Sequence, residues 1–365
     1  MSLKMRITVS AGVFSLMALS NAIVPVLPSY SPDSSWQGAV YSAYFLGAFA
    51  TTLLGGILAD RYGPVPVIRA GLLLSLASGI LLAVSVSPLP VILMRCAEGI
   101  GAGLFVAAAM SYVNSLPDHA RMSGYYMAML NLGLVLGLVI SGWLAARLGM
   151  TASGIVLFTV LTGIVAAGSL LLGNPKTSEQ KPDAGNDRRI VFLLVSENRW
   201  LLFSAVVLIG ITGVIISLFP KFSGLSPDIV SLWIAGMSVA TIISVMVASR
   251  ITLDPVPVIR WSAILMAVGV ILAYSSPLGF IVLGALAGVV MIAQMAYLSA
   301  VRDHQGVAMG LFSTTSYLGM AILPFGAGII ADTAGFFSAF CVTAACALLV
   351  ALTIGRCRCP LKNPA

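Results

Sequence analysis

Two charged residues lie three positions apart inside an otherwise apolar stretch, in the run Arg95-Cys-Ala-Glu98-Gly99-Ile-Gly101-Ala-Gly103. That spacing puts both side chains on one face of a helix. A lone charge at the centre of a bilayer costs at least about 2.5–3.5 kcal/mol. Arg95 and Glu98 must therefore pair, line a wet cavity, or both. They are either an ion pair that merely neutralises itself within the helix or a functional pair facing a central cavity. Glu98 is the only acidic residue deep in an apolar segment. If the chain moves protons, Glu98 is the best candidate carrier, and movement of Arg95 would switch its affinity for a proton. With an anionic substrate Arg95 would be the binding charge and Glu98 its orienting partner; a cationic substrate would reverse those roles.

No other residue set is arranged for catalysis. His119 and His304 sit in short polar breaks, and neither a phosphate-cradling loop nor a Gly-x-x-x-x-Gly-Lys signature is present. Cys96, Cys341 and Cys346 lie in apolar segments and read as packing residues. Cys357 and Cys359 belong to a basic tail, where a solvated end is the simple interpretation and a metal or lipid role the alternative. The expectation is no enzyme, no metal and no cofactor, with a proton gradient as driving force. Asn21, Gln37, Asn131, Gln294, Tyr297 and Tyr317 are the further polar residues in apolar segments that could reach a cavity.

The elements that must position these groups are membrane-spanning. Hydrophobic residues make up 59% of the 365-residue chain and charged residues 8%, against about 25% charged in soluble domains. A soluble fold could not hide that much apolar surface, and a spanning helix needs about 20 apolar residues. Turn signals at Ser87-Pro88-Leu89-Pro90 and Ser275-Ser276-Pro277-Leu278-Gly279 divide the longest runs. The pattern predicts an all-α integral membrane protein with twelve helices at 7–29, 36–59, 65–86, 89–114, 121–146, 151–173, 199–219, 229–250, 257–275, 278–300, 306–331 and 335–355. The first is too long for a signal-peptide core and ends in Pro25-Val-Leu-Pro28 rather than a cleavage site, so it is read as a retained helix.

The net charge of +7 is topology rather than a sign of nucleic acid. With the N-terminus inside, every Lys and Arg falls in an inner segment except Arg147, Lys221 and the intramembrane Arg95. The positive-inside rule then places both termini in the cytoplasm of a cell membrane. Residues 174–198 are the one sizeable hydrophilic segment, with a short interfacial helix possible over 186–198. They divide the chain into six-helix bundles at 1–173 and 199–355, followed by a cytoplasmic tail at 356–365.

The two bundles are related. Pro-Val-Pro-Val-Ile-Arg occurs at 64–69 and again at 255–260. Asp118-His119 recurs as Asp303-His304, and Gly133, Gly142 and Gly149 match Gly319, Gly328 and Gly335 in one register. Internal symmetry of this kind is typical of secondary transporters. Small residues at such spacing let helices approach closely, which marks Gly133, Gly137, Gly142, Gly319 and Gly328 as packing positions on contact helices between the halves.

The run Gly56-Ile-Leu-Ala-Asp60-Arg61-Tyr-Gly63 after the second helix resembles the loop signature of the major facilitator superfamily. Pro64-Val65 stand where a basic pair usually follows, and Arg69 is the only later base. The resemblance spans essentially the whole chain. It implies the twelve-helix, two-bundle fold and a gating role for Gly56, Asp60, Arg61, Gly63 and Arg69. Asp60 would then act as a latch, capping a helix end or pairing with an arginine of the other half. The run around Arg95 is similar to the family's helix-four motif. Gly133-Leu-Val-Leu-Gly137-Leu-Val-Ile-Ser141-Gly142 is similar to its antiporter signature, with Leu138 in place of proline and Ser141 in place of glycine. Pro25-Val-Leu-Pro28 looks like the drug-efflux branch, although the acid often found earlier in that helix is absent and Asn21 is the nearest polar residue. The resemblance implies a monomeric, proton-coupled exporter of amphipathic or lipophilic compounds working by alternating access. Uptake or facilitated diffusion of a sugar or organic anion is the alternative, and a receptor or membrane-embedded enzyme the rival from another class.

Overall fold

The computed structural model describes residues 3–85, 87–116, 118–172, 193–251, 254–299 and 305–357. Among them, twelve helices are long and apolar enough to cross a membrane, and there are no strands. They are α1 (Leu3–Ala22), α2 (Ser34–Tyr62), α3 (Pro64–Val84), α4 (Pro88–Asn114), α5 (His119–Leu148), α6 (Ser153–Leu170), α7 (Arg199–Ser223), α8 (Pro227–Ala248), α9 (Pro255–Ser275), α10 (Leu278–Ser299), α11 (Gln305–Ala334) and α12 (Phe336–Thr353). Residues 193–197 form a helical turn before α7. The rest of the hydrophilic segment up to 192, the repeat residues Asp303 and His304, and the tail from 358 lie outside the described residues.

Proline and glycine set the element ends. A continuous helix over 7–29 is not what forms: α1 stops at Ala22, and Val24–Ser29 is a 3-10 helix. Pro25 and Pro28 supply no N–H for α-helical bonding, so the chain tightens instead. The second helix extends past 59 to Tyr62, because Gly63 (φ +85°) is where the chain turns. Asp60 and Arg61 therefore sit in the last turn of α2, not in a loop. Each Pro-Val-Pro-Val-Ile-Arg copy opens a helix, α3 and α9, with its first proline where a missing N–H removes no helical bond.

The chain forms two compact units, Met1–Pro182 with Phe219–Ala235 and Asp183–Leu218 with Gly236–Ala365. In the first, α1 is buried along most of its length, with Val9, Val13 and Leu16 packed near Phe105 of α4. Helix α4 carries glycines at alternate positions, and they alternate between two neighbours, α2 and α3. A Cβ on Gly99 would lie 1.9 Å from the Tyr44 carbonyl oxygen of α2, and one on Gly103 2.4 Å from Thr51 Oγ1. A Cβ on Gly101 would lie 2.7 Å from the Gly71 carbonyl oxygen of α3. Residues two apart point to opposite sides of a helix, so α4 takes a backbone on each flank.

Helix α5 meets α1 in the same way. Cβ atoms on Gly133 and Gly137 would each lie 2.4 Å from the carbonyl oxygens of Phe14 and Ala18. One on Gly142 would meet Pro227 O at 2.5 Å and Ser231 Oγ at 2.4 Å, at the start of α8 and within the same unit. In the second unit Gly319 of α11 lies against Val206 O of α7, and Gly284 of α10 against Met237 O of α8; Gly328 is buried. Gly133, Gly137 and Gly319 thus pack inside their own set of six helices, a different partner from the one their spacing suggested. The repeat extends to a hydroxyl: Thr51 donates to Gly47 O and Ile100 O, and Thr241 to Met237 O and Gly284 O.

Candidate functional site

Arg95 and Glu98 meet as their spacing predicts. Arg95 Nη1 donates to Glu98 Oε2 at 2.7 Å, and both side chains are 1% exposed. Among the described residues they are the only buried charged side chains. The pair is enclosed by α2. Gly47 sits against Cys96 O, where a Cβ would come within 2.2 Å, and Gly99 against Tyr44 O. This close seam carries the Tyr44 ring under the guanidinium, with Arg95 Cζ 4.7 Å from its centroid. Such a contact is worth about 2 kcal/mol when desolvated. The seam follows a spacing of four, Gly47-Thr51-Gly55 on α2 and Gly99-Gly103 on α4.

The pair is not fully satisfied. Among the described residues, Arg95 Nε and Glu98 Oε1 are buried without a hydrogen-bond partner, as is Gln37 Oε1. The field of Arg95 also reaches beyond its helix. Burial pushes the Tyr30 hydroxyl up to about 12, and the charge on Arg95 opposes that rise. One oxygen of Glu98 is thus held by a cation, and the other has no partner among the described residues. Chemically this is a carboxylate able to take a proton at Oε1 while Oε2 stays with Arg95.

The motif at the end of α2 is dispersed. Asp60 and Arg61 are exposed. Asp60 Oδ1 accepts a long 3.4 Å bond from Ser111 Oγ of α4, and Arg61 lies over the ring of Tyr62, 5.3 Å from its centroid. Gly56 has open space where a Cβ would stand. Arg69 is not brought to this group. It donates from Nε to Ser169 O at 2.9 Å and from Nη2 to Leu170 O and Leu172 O, meeting the unsatisfied carbonyls at the C-terminal end of α6.

The other polar candidates bind protein groups. Asn21 Nδ2 donates to Leu134 O of α5 at 3.0 Å, Gln37 Nε2 to Ser31 O at 2.8 Å, and Gln294 Nε2 to Ser204 Oγ of α7 at 3.0 Å. Asn131 turns back to Met127 O of its own helix. Tyr297 is buried and Tyr317 half-buried. A second ion pair was not foreseen. Arg6 of α1 donates through both terminal nitrogens to Asp118, at 2.7 and 2.9 Å. It ties the start of α1 to the start of α5, and the Arg6 guanidinium holds the Asp118 carboxyl below the usual carboxylate range. The repeated Asp-His pair pointed at Asp118 but did not name its partner.

Comparison with known proteins agrees with this architecture. The quinolone resistance protein NorA of Staphylococcus aureus is 32% identical over 130 residues, 34% of each chain, so the match spans about a third of that relative's length. A mutant of the nucleoside transporter NupG superposes with a TM-score of 0.79 at 15% identity, covering 96% of this chain and 99% of the other. A D-xylose-proton symporter gives 0.76 at 15% identity, covering 99% of both. The Major Facilitator Superfamily profile matches residues 9–224, more than half the chain. This multi-pass membrane protein, with its twelve helices and internal repeat, therefore belongs to the Major Facilitator Superfamily and is a transporter, not an enzyme.

Proposed function

We propose that the protein exports small amphipathic or lipophilic molecules in exchange for protons, by alternating access, as a monomer in the cell membrane with both termini in the cytoplasm. The observation that carries the reading is the buried Arg95–Glu98 pair, with Glu98 Oε1 left without a partner. A charge is retained inside a membrane bundle at a cost of several kcal/mol, and intramembrane ionisable groups mark ion and substrate paths. Proton binding at Oε1 would weaken the hold of Glu98 on Arg95 and so couple protonation to rearrangement of α4. The likeness to a quinolone resistance protein favours export and lipophilic cargo. Asp60 and Arg61, exposed at the end of α2, are the proposed gate residues. Arg69 instead secures the end of α6.

The test is uptake of a lipophilic fluorescent cation into inverted membrane vesicles driven by an imposed pH gradient. Wild type is expected to accumulate it and release it on adding a protonophore, while Glu98→Gln retains cation binding and loses gradient-driven uptake. Accumulation of sugars or organic anions in right-side-out vesicles, with no cation transport in either orientation, overturns export in favour of metabolite uptake.

A further inference from the structure

A cationic cluster lies outside everything described so far. Trp200, in the first turn of α7, carries two guanidiniums. Arg199 Cζ is 5.4 Å and Arg356 Cζ 5.3 Å from its ring centroid. Arg356 comes from the 3-10 turn that follows α12, so the chain brings these groups together from residues more than 150 positions apart. Both arginines are exposed and the indole is half-buried. Neither Arg199 nor Arg356 forms a salt bridge with another described residue. Exposed Glu197, two residues before Arg199, joins no salt bridge among the described residues. Two like charges converging on one ring repel each other, and an anion seated between them would offset that repulsion.

The surroundings indicate which anion. The start of α7 and the end of α12 are separated by six crossings, so both lie at the same face of the membrane. Trp is the residue that settles at the level of lipid headgroups. Just inside the charged rim the surface turns apolar. Phe203 packs edge-on to Trp200, with ring centroids 6.5 Å apart, and is 37% exposed. Leu352 and Leu349, one and two turns before Arg356, are 70% and 51% exposed. Cations, an indole, then bare aliphatic surface in that order match a phosphodiester with its acyl chains. A soluble anion would use the cations and leave the apolar strip uncovered.

We propose that Arg199, Trp200 and Arg356 form a binding site for the headgroup of an anionic phospholipid, with its chains lying along Phe203, Leu349 and Leu352. Each cation near a charged membrane surface contributes about fivefold in affinity, so losing both should weaken binding roughly thirtyfold.

The experiment uses the full-length protein in neutral detergent and follows thermal unfolding as phosphatidylglycerol is titrated in. Phosphatidylglycerol should raise the melting temperature. In Arg199→Gln/Arg356→Gln the midpoint of that titration should move up about thirtyfold. Arg250→Gln, an exposed arginine elsewhere, should leave it unmoved. An equal rise with phosphatidylcholine, an unmoved midpoint in the double variant, or an equal loss in Arg250→Gln overturns the site. Stabilisation by inorganic phosphate at the same concentrations shows a general anion site and overturns the lipid. Should the double variant not fold, each single variant is expected to move the midpoint about fivefold, and an unmoved midpoint in both refutes the proposal.

Discussion

Replacing the ion pair as a unit separates its structural from its functional role. Arg95→Met alone leaves a carboxylate 1% exposed, without its 2.7 Å donor at Oε2 and with no partner at Oε1. Breaking a buried pair from one side costs about 3–5 kcal/mol, and loss of the contact with Tyr44 adds up to about 2 kcal/mol. Arg95→Met/Glu98→Leu removes both charges and both unpartnered atoms while keeping the volume close. Such replacements are neutral or stabilising by about 1–4 kcal/mol, which offsets the lost stacking. The double variant should then lie within about 2 kcal/mol of wild type, while the single variant, losing about 3–7 kcal/mol, should unfold at least about a hundredfold more readily. Unfolding of wild type, both singles and the double in mixed micelles gives the coupling energy, and vesicle transport on the same four proteins gives the function. A double variant as unstable as Arg95→Met would show that the pair is net stabilising and refute the energetic reasoning. A double variant that still drives transport with a proton gradient would reduce the pair to fold support.

Other expectations concern backbone, gate and pH. Gly99→Ala and Gly47→Ala place a methyl group within about 2 Å of a carbonyl oxygen and should abolish the folded monodisperse peak in size-exclusion chromatography. Gly56→Ala meets nothing and should stabilise by up to about 1 kcal/mol through helix propensity; a collapse there would contradict the open space. Asp60→Asn should fold normally and lose most transport, and full activity in vesicles would remove Asp60 from the gate. The Asp118 carboxyl is held below its usual range by Arg6. Its contribution is therefore fully present above the unfolded value of about 3.9 and lost as pH falls through the lower folded value. Arg6→Gln should consequently change the melting temperature by the same amount at about pH 5 and about pH 8, and a change that grows between those pH values would refute the assignment.

The twelve crossings were readable because charge and length punctuate them: apolar runs of bilayer length end at arginines, prolines and glycines, and a repeated hexapeptide marks matching helix starts. The Arg95–Glu98 pair was readable because both partners lie on one helix, where spacing alone decides adjacency. What encloses the pair was not. Tyr44 is one of several tyrosines on α2, and nothing local says that its backbone will abut Gly99. The fours on α2 and α4 announce close packing but not each other. Arg69 shows the opposite failure. Its nearness in sequence to Asp60 suggested a shared task, whereas its partners are carbonyls a hundred residues away, a connection made only by packing α3 on α6.

The seam between α2 and α4 has a mechanical meaning. At Gly47 and Gly99, and again at Gly55 and Gly103, the two helices meet backbone to backbone, which leaves little between them at those points to slide or deform. The segment of α2 from Tyr44 to Asp60 is about 24 Å of stiff rod at 1.5 Å per residue, riveted at both ends of the seam. Held to α4 in this way, α2 would carry a displacement of the Arg95–Tyr44 contact to Asp60 as one rigid body. A protonation at one depth of the membrane could thus be felt at its surface without any chain of intermediate contacts having to switch.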